Sequence, residues 1–376
     1  MEQGCLGAGP GNRAGDYSGL GGQLSNFRPD YAACREYFLE LAKASKGTLR
    51  RAHNPTPGPD GLALSTDFLR LGPEDAEHAL IMVSGTHGAE GFAGSAIQCA
   101  WLAAAPKLPD NLAVVLVHGL NAFGFAHLRR VNENNVDLNR NFIDHEDEHP
   151  HNEGYAKIGE AMAATALDGP AREAADKELV RLKKEMGQFN VMRAIGGQYD
   201  APEGMFYGGR VPVWSNRALR EYLPELLPNV KLAAYVDIHT GLGPSGYGSP
   251  MCYHRKETPE YDLARQWWGK DMTAAAAKIN HGKTGHGAME ALAPSQVICL
   301  TLEFGTLVFD DVLAALRDEH AFWWHGAGRD GGAVKSAFRE AFRRDDRDWE
   351  NQVVERGLQI AELSMRGLLD WSISGD

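Results

Sequence analysis

Apolar positions along this chain cluster into short continuous runs separated by polar, glycine-rich loops. ALIMVS at 79–84 and LAVVLVH at 112–118 are apolar at nearly every position and bounded by turn-forming residues. Runs of that length and uniformity predict strands buried on both faces of a sheet covered by helices. Residues 91–105 (GFAGSAIQCAWLAAA), between them, predict a helix. LAAYVDIH at 232–239 and VICLTLE at 297–303 repeat the buried-strand pattern, and 251–254 reads as a shorter strand. Tyr31, Cys34, Phe38 and Leu41 recur at helical spacing within 30–46. The extended runs 48–53 and 62–70 flank the turn-rich NPTPGPDG. Residues 155–188, rich in Ala, Glu and Lys, predict one or two surface helices, and further helices are expected near 216–226 and 258–280. The tail, 308–372, reads as helices interrupted by GAGRDGG. The Trp pairs 267–268 and 323–324 suit core packing or helix–helix contact, and the alternating charges of 338–350 suit a solvated helix face. No repeat and no Pro/Ser-rich linker divides the chain. The expectation is a glycine-rich mobile arm at 1–25, then one α/β domain over 26–376 with a helical insertion near 155–188.

Composition narrows the class. The 376 residues carry 38 Lys+Arg and 50 Asp+Glu, a net charge of −12. That balance argues against a nucleic-acid partner, which needs a clustered basic surface. No apolar stretch is long enough to span a membrane, and residues 1–25 lack the apolar core of a secretory signal. Cys5, Cys34, Cys99, Cys252 and Cys299 are odd in number and widely spaced, which suits reduced thiols in a cytoplasmic protein. A homo-oligomer is left open.

Ligands of open α/β sheets gather at the carboxyl ends of strands. After 79–84 stand His87 and Glu90, spaced H-x-x-E. At the next strand end stands His239, with Asp237 two positions earlier on the same face, and at the last stands Glu303. Two His and one Glu can hold a catalytic zinc with a position left for water, and Glu303 is then available as a general base. Asp237 is a candidate second partner for His239 or for His87. Asn139-Arg140-Asn141, with Arg129 and Arg130 upstream, reads as a carboxylate-recognition loop, because Arg binds carboxylates bidentately. Two competing motifs are weaker. His145-Glu-Asp-Glu-His149 matches H-E-x-x-H but precedes Pro150 and has no apolar face to pack a helix, so it reads as an acidic loop. Gly241–Gly246 matches G-x-G-x-x-G but leads into Tyr-Gly-Ser-Pro rather than a helix, which weakens a dinucleotide site. No G-x-S-x-G or Walker A sequence occurs.

HGAEG, NVDLNRNF, DIHTGLG and LTLEFGT, in that order over roughly 79–306, resemble the M14 zinc carboxypeptidase superfamily. The nearest likeness is to the branch holding succinylglutamate desuccinylase, aspartoacylase and the DUF2817 group, whose look 197–216 shares. The resemblance implies a three-layer α/β/α sandwich with a mixed, mostly parallel central sheet. It implies one zinc per chain on His87, Glu90 and His239, with Glu303 as general base and Asn139 and Arg140 as the substrate-carboxylate clamp. Arg130 would polarise the scissile carbonyl, although Arg129 is adjacent and competes for that role. The peptidases carry a substrate-contacting Tyr about two dozen residues before the base. Here HGKTGHGAMEALA has none, leaving His281, His286, Tyr207, Tyr247 or Tyr253 as substitutes. The function expected is zinc-dependent hydrolysis of an amide or peptide bond beside a free carboxylate, in a small molecule or peptide. The rivals are an NAD-dependent oxidoreductase using 241–246 and a non-catalytic carboxylate-binding protein on the same fold.

Overall fold

The computed structural model describes residues 26–274 and 282–374. The expected 1–25 arm, Cys5 and His281 lie outside them. Asp30 opens α1 (Tyr31–Ser45) by accepting the Ala33 amide at 2.8 Å, an N-cap bond. Then come β1 (Thr48–His53), β2 (Ser65–Leu71), β3 (His78–Val83), α2 (Gly91–Ala104), β4 (Leu112–His118) and the short α3 (Ala122–Ala126). The insertion forms α4 (Glu153–Ala163), α5 (Gly169–Met186) and α6 (Gln188–Ala194). The chain continues with α7 (Trp214–Leu226), β5 (Leu232–Ser245), β6 (Ser249–Cys252), α8 (Pro259–Trp268), β7 (Thr273–Ala274) and α9 (Thr284–Ala291). It ends with β8 (Gln296–Gly305), α10 (Phe309–His325), α11 (Gly332–Phe342) and α12 (Arg347–Ser374).

The eight strands form one sheet in the order β1-β2-β4-β3-β5-β8-β6-β7. The four apolar runs are its centre, β4-β3-β5-β8, all mutually parallel, and β2 and β6 flank them antiparallel. Alternate side chains enter opposite layers, as strand geometry requires. Leu80 and Met82 of β3 meet Phe38, Ile97, Trp101, Trp267 and Leu368 of α1, α2, α8 and α12. Ala79, Ile81 and Val83 meet Leu219 and Leu223 of α7 and Ala288 of α9. Burying each Leu or Ile contributes about 1.5–3 kcal/mol, so both helix layers are needed to cover the sheet. The architecture is the expected α/β/α sandwich around a mixed, mostly parallel sheet.

Three expectations change, and the doubt about the G-x-G-x-x-G match is upheld. The insertion is more than a surface feature: α4–α6 close a third apolar cluster with α10 and α11 over the carboxyl ends of the strands. The helix expected over 258–280 stops at Trp268, where Gly269 takes a left-handed φ of 93°. β5 runs on through Gly241–Ser245 and is followed by a turn and β6, so the G-x-G-x-x-G match has no helix N-terminus to offer a pyrophosphate. Finally, 338–350 is no single solvated face. α11 ends at Phe342, α12 begins at Arg347, and Phe338, Ala341, Phe342 and Trp349 are buried. The Trp267-Trp268 pair is core, with the Trp268 indole N–H donating to Ser364 of α12. Trp323 and Trp324 are partly exposed instead.

Candidate metal centre and substrate cleft

β3 delivers the chain to His87, which precedes a single 3₁₀ turn, Gly88–Glu90, before α2 begins. A Cβ on Gly88 would lie 1.9 Å from the Gly124 carbonyl carbon, so only glycine lets this turn press against α3. The turn brings Glu90 back beside His87. His239 comes from β5 and Glu303 from β8, directly opposite each other in register.

Glu90 bridges the two imidazoles, with Oε1 2.9 Å from His87 Nδ1 and Oε2 2.8 Å from His239 Nδ1. One ligand atom from each of the three residues lies within 4.8 Å of the others, and all three side chains are buried. Each ring is backed by a carboxylate at its other nitrogen. Asp137 Oδ1 is 3.1 Å from His87 Nε2, and Asp237 Oδ2 is 2.8 Å from His239 Nε2. Asp237 is held in turn by the hydroxyls of Thr86 (2.7 Å) and Thr284 (2.8 Å). Carboxylate-backed imidazoles converging on a third ligand are the pattern that orients histidines toward a metal, and two His with one Glu is a catalytic-zinc donor set. The residues therefore fit a zinc ion.

The charges around the cluster favour a cation there. Burial disfavours charge on Glu90, yet His87 and His239 outweigh it and hold its carboxyl well below the usual range. Burial likewise opposes charge on His239, but Asp237 and Glu90 raise its pKa well above the ordinary value. Glu303 moves the other way: burial, reinforced by the Glu90 charge, pushes it up to about 8. Its Oε1 accepts the Leu242 amide at 3.1 Å.

A cleft of about 290 Å³ borders this cluster. His87, Glu90, Arg130, Asn139, Arg140, His239 and Glu303 all line it. Arg130 is anchored by Asp137 (Nε–Oδ2 3.0 Å) and approaches Glu90 Oε1 at 3.4 Å. Arg140 has no carboxylate partner among the described residues. One of its terminal nitrogens donates to the Asn139 carbonyl at 2.7 Å, and its Nε is buried without a partner. The Arg140 stem lies where a Cβ of Gly197 would sit, and Gly197 has a φ of 131°, so that position admits no larger residue. A second hollow of about 720 Å³, lined in part by residues of α4–α6, also reaches Arg140. Asn139 is fixed at both ends, accepting the Thr284 amide at 3.0 Å and reaching His239 Nε2 at 3.2 Å.

Two residues expected at the substrate do not reach the cleft. Arg129 turns into the protein, 3.1 Å from Glu319 and stacked over Trp323, with 1% of its surface exposed. Consecutive residues here take opposite sides of the chain, which separates Arg129 from Arg130. Asn141 is fully buried, its amide donating to the Gly208 and Val211 carbonyls, so it braces the 208–213 loop. His145 and His149 lie in a loop, where His145 Nε2 bonds the Asn141 carbonyl at 2.8 Å. No tyrosine lines the cleft among the described residues, but Lys283 does. Sequence reasoning passed over Lys283, and over Asp137 as the partner of both His87 and Arg130. The one available signal for Lys283 was its place in HGKTGHG, where the resemblance left a substrate contact unfilled. The apolar part of the cleft, including Met192, Ile195, Phe206, Val312, Leu316 and Phe342, was also unforeseen.

The fold is that of the carboxypeptidases. Bovine thrombin-activatable fibrinolysis inhibitor, solved in complex with tick carboxypeptidase inhibitor, superposes with a TM-score of 0.51 at 11% identity, over 93% of this chain and 99% of that one. Residues 27–356 match the family described as "Protein of unknown function (DUF2817)", and the chain belongs to that family. Succinylglutamate desuccinylase from Chromobacterium violaceum is a more distant match, with a TM-score of 0.33 and 13% identity, over 78% of this chain and 75% of that one. No curated protein matches the sequence.

Proposed function

We propose that this protein is a zinc-dependent hydrolase of an amide bond lying next to a free carboxylate in a small substrate. The observation that carries the reading is the meeting, in one cleft, of three things. These are the carboxylate-backed His87–Glu90–His239 cluster, the buried acid Glu303, and the cationic Arg140, which has no ion-paired acid among the described residues. His87, Glu90 and His239 would hold the ion, which supplies Lewis acidity and an acidified water when bound.

The chain's own groups account for the rest. Arg140 receives the substrate carboxylate, since a buried guanidinium with no ion-paired acid among the described residues gains most from one. Asn139, anchored through its carbonyl oxygen by the Thr284 amide, keeps its amide hydrogens for the same group. Orientation by this pair decides which carbonyl faces the cluster. Arg130, held from behind by Asp137, presents its remaining N–H groups to the carbonyl oxygen as it gains negative charge. Glu303, a buried carboxyl lining the cleft beside the cluster, is suited to take a proton from water and return it to the leaving amine. A cleft of 290 Å³ is at the small end for ligand sites, which favours N-acyl amino acids and short peptides over long chains. Cys34, Cys99, Cys252 and Cys299 are free and buried, which supports a reducing, cytoplasmic setting. No helix among the described residues is long and apolar enough to cross a membrane.

The test is a screen of N-acyl amino acids and di- and tripeptides against metal-stripped and zinc-restored protein. Hydrolysis that appears only with zinc, and only for substrates with a free carboxylate, is expected. Turnover unaffected by stripping the metal would overturn the reading.

A further inference from the structure

Lys283 is placed where a lysine is electrostatically unwelcome. It immediately precedes α9, whose N-terminal end carries the positive half of the helix dipole. It is 9% exposed, lines the same cleft as Arg140, and has no carboxylate within ion-pair distance among the described residues. Its ammonium sits 4.5 Å from the centre of the Tyr253 ring, an attraction that leaves its donors unspent. Its backbone is not free to withdraw. Gly282 accepts the Phe142 amide at 3.0 Å, and Thr284 binds both Asn139 and Asp237. The 139–142 loop and the start of α9 are thus one unit that carries Arg140 and Lys283 together.

The three cations of the cleft divide into two kinds. Arg130 is already neutralised by Asp137 and Glu90. Arg140 and Lys283 have no ion pair among the described residues; Asp137 attracts the one and Asp237 the other only at longer range, while the two like charges repel each other across the cavity. One substrate carboxylate answers one of them. We propose that Lys283 is a specificity-determining residue that binds a second anionic group on the amine half of the substrate. Resting on the hydrolase reading above, this makes the preferred substrate an amide between an apolar acyl group and an acidic amino acid. The acyl half follows from the apolar lining of the same cleft, where Met192, Ile195, Phe206, Val312, Leu316 and Phe342 offer no polar partner to a charged acyl chain.

The experiment compares kcat/KM for N-benzoyl-glutamate with N-benzoyl-glutamine, and for the aspartate and asparagine pair, in zinc-loaded protein. Each pair differs by one charge at nearly constant size. Wild type should favour at least one acid over its amide by about tenfold or more, because a desolvated charge pair is at stake. Lys283→Met should bring that ratio to near one, and Lys283→Arg should keep most of it. A wild-type ratio near one for both pairs, or a ratio that survives Lys283→Met, overturns the proposal. If neither acid nor amide is hydrolysed, the hydrolase reading fails, and binding of the same pairs to zinc-loaded Glu303→Gln protein decides for Lys283. Acid-selective binding lost on adding Lys283→Met upholds the anion site, and unselective binding rejects it.

Discussion

Replacing Asp237 by asparagine removes one negative charge behind His239 and almost no volume. Asp237 has no exposed surface, accepts the Thr86 and Thr284 hydroxyls at 2.7 and 2.8 Å, and lies 2.8 Å from His239 Nε2. Threonine hydroxyls bond an amide as readily as a carboxylate, so both threonine contacts persist and the fold should survive. What disappears is the anion that fixes the orientation of His239 and raises its basicity. Losing such a partner typically weakens metal binding by about 10–100-fold. At about 1.4 kcal/mol per tenfold, this is roughly 1.4–2.8 kcal/mol. The assay is zinc affinity by competition with a chelator of known strength, read beside the thermal midpoint of the metal-stripped protein. The expected result is a Kd raised by one to two decades with little change in that midpoint. A Kd within twofold of wild type would mean that Asp237 serves packing alone, and would remove the argument that His239 is poised as a ligand.

Three further outcomes are expected. Glu303→Gln should keep its zinc and lose about 10²–10⁴-fold in turnover, because an amide cannot take the proton from water; near-normal turnover with full metal content would place the base elsewhere. Arg140→Ala should cost substrates with a free carboxylate about 2–5 kcal/mol in kcat/KM and cost their amide or ester counterparts far less; equal losses would make Arg140 a structural prop of its loop. His118 is buried between Ser95 and Phe38, and burial pushes its pKa down to about 4. In the unfolded chain it titrates near 6.5, so between pH 6.5 and 4 the unfolded state binds the extra proton and stability falls as pH drops, by up to about 3 kcal/mol. His118→Gln should flatten that part of the profile, and urea midpoints at pH 7 and 4.5 that fall as far as in wild type would contradict it.

The centre of the sheet was legible because its strands are parallel and covered on both faces, which forces runs such as LAVVLVH to be apolar throughout. His87, Glu90, His239 and Glu303 were legible for a related reason. Each lies at or just beyond a strand whose end the pattern marks. Lys283 could not be read that way, since its nearness to Arg140 comes from a backbone contact between Gly282 and Phe142, about 140 residues apart in sequence. Arg129 and Arg130 are indistinguishable in sequence. Their roles separate only when Glu319, on α10, claims one and Asp137 the other. The apolar side of the cleft was hidden because α4–α6 carry charged outer faces that read as solvated helices. Phe338 and Phe342 were likewise masked by the acids and bases around them.

His87, Glu90 and His239 form the single metal centre proposed above. Elemental analysis of the purified protein, beside a His87→Ala/His239→Ala variant, tests it most directly. The prediction is about one zinc per chain in wild type and almost none in the variant, with both folded. Full zinc occupancy in that variant, or zinc lost instead on changing His145 and His149, would contradict it.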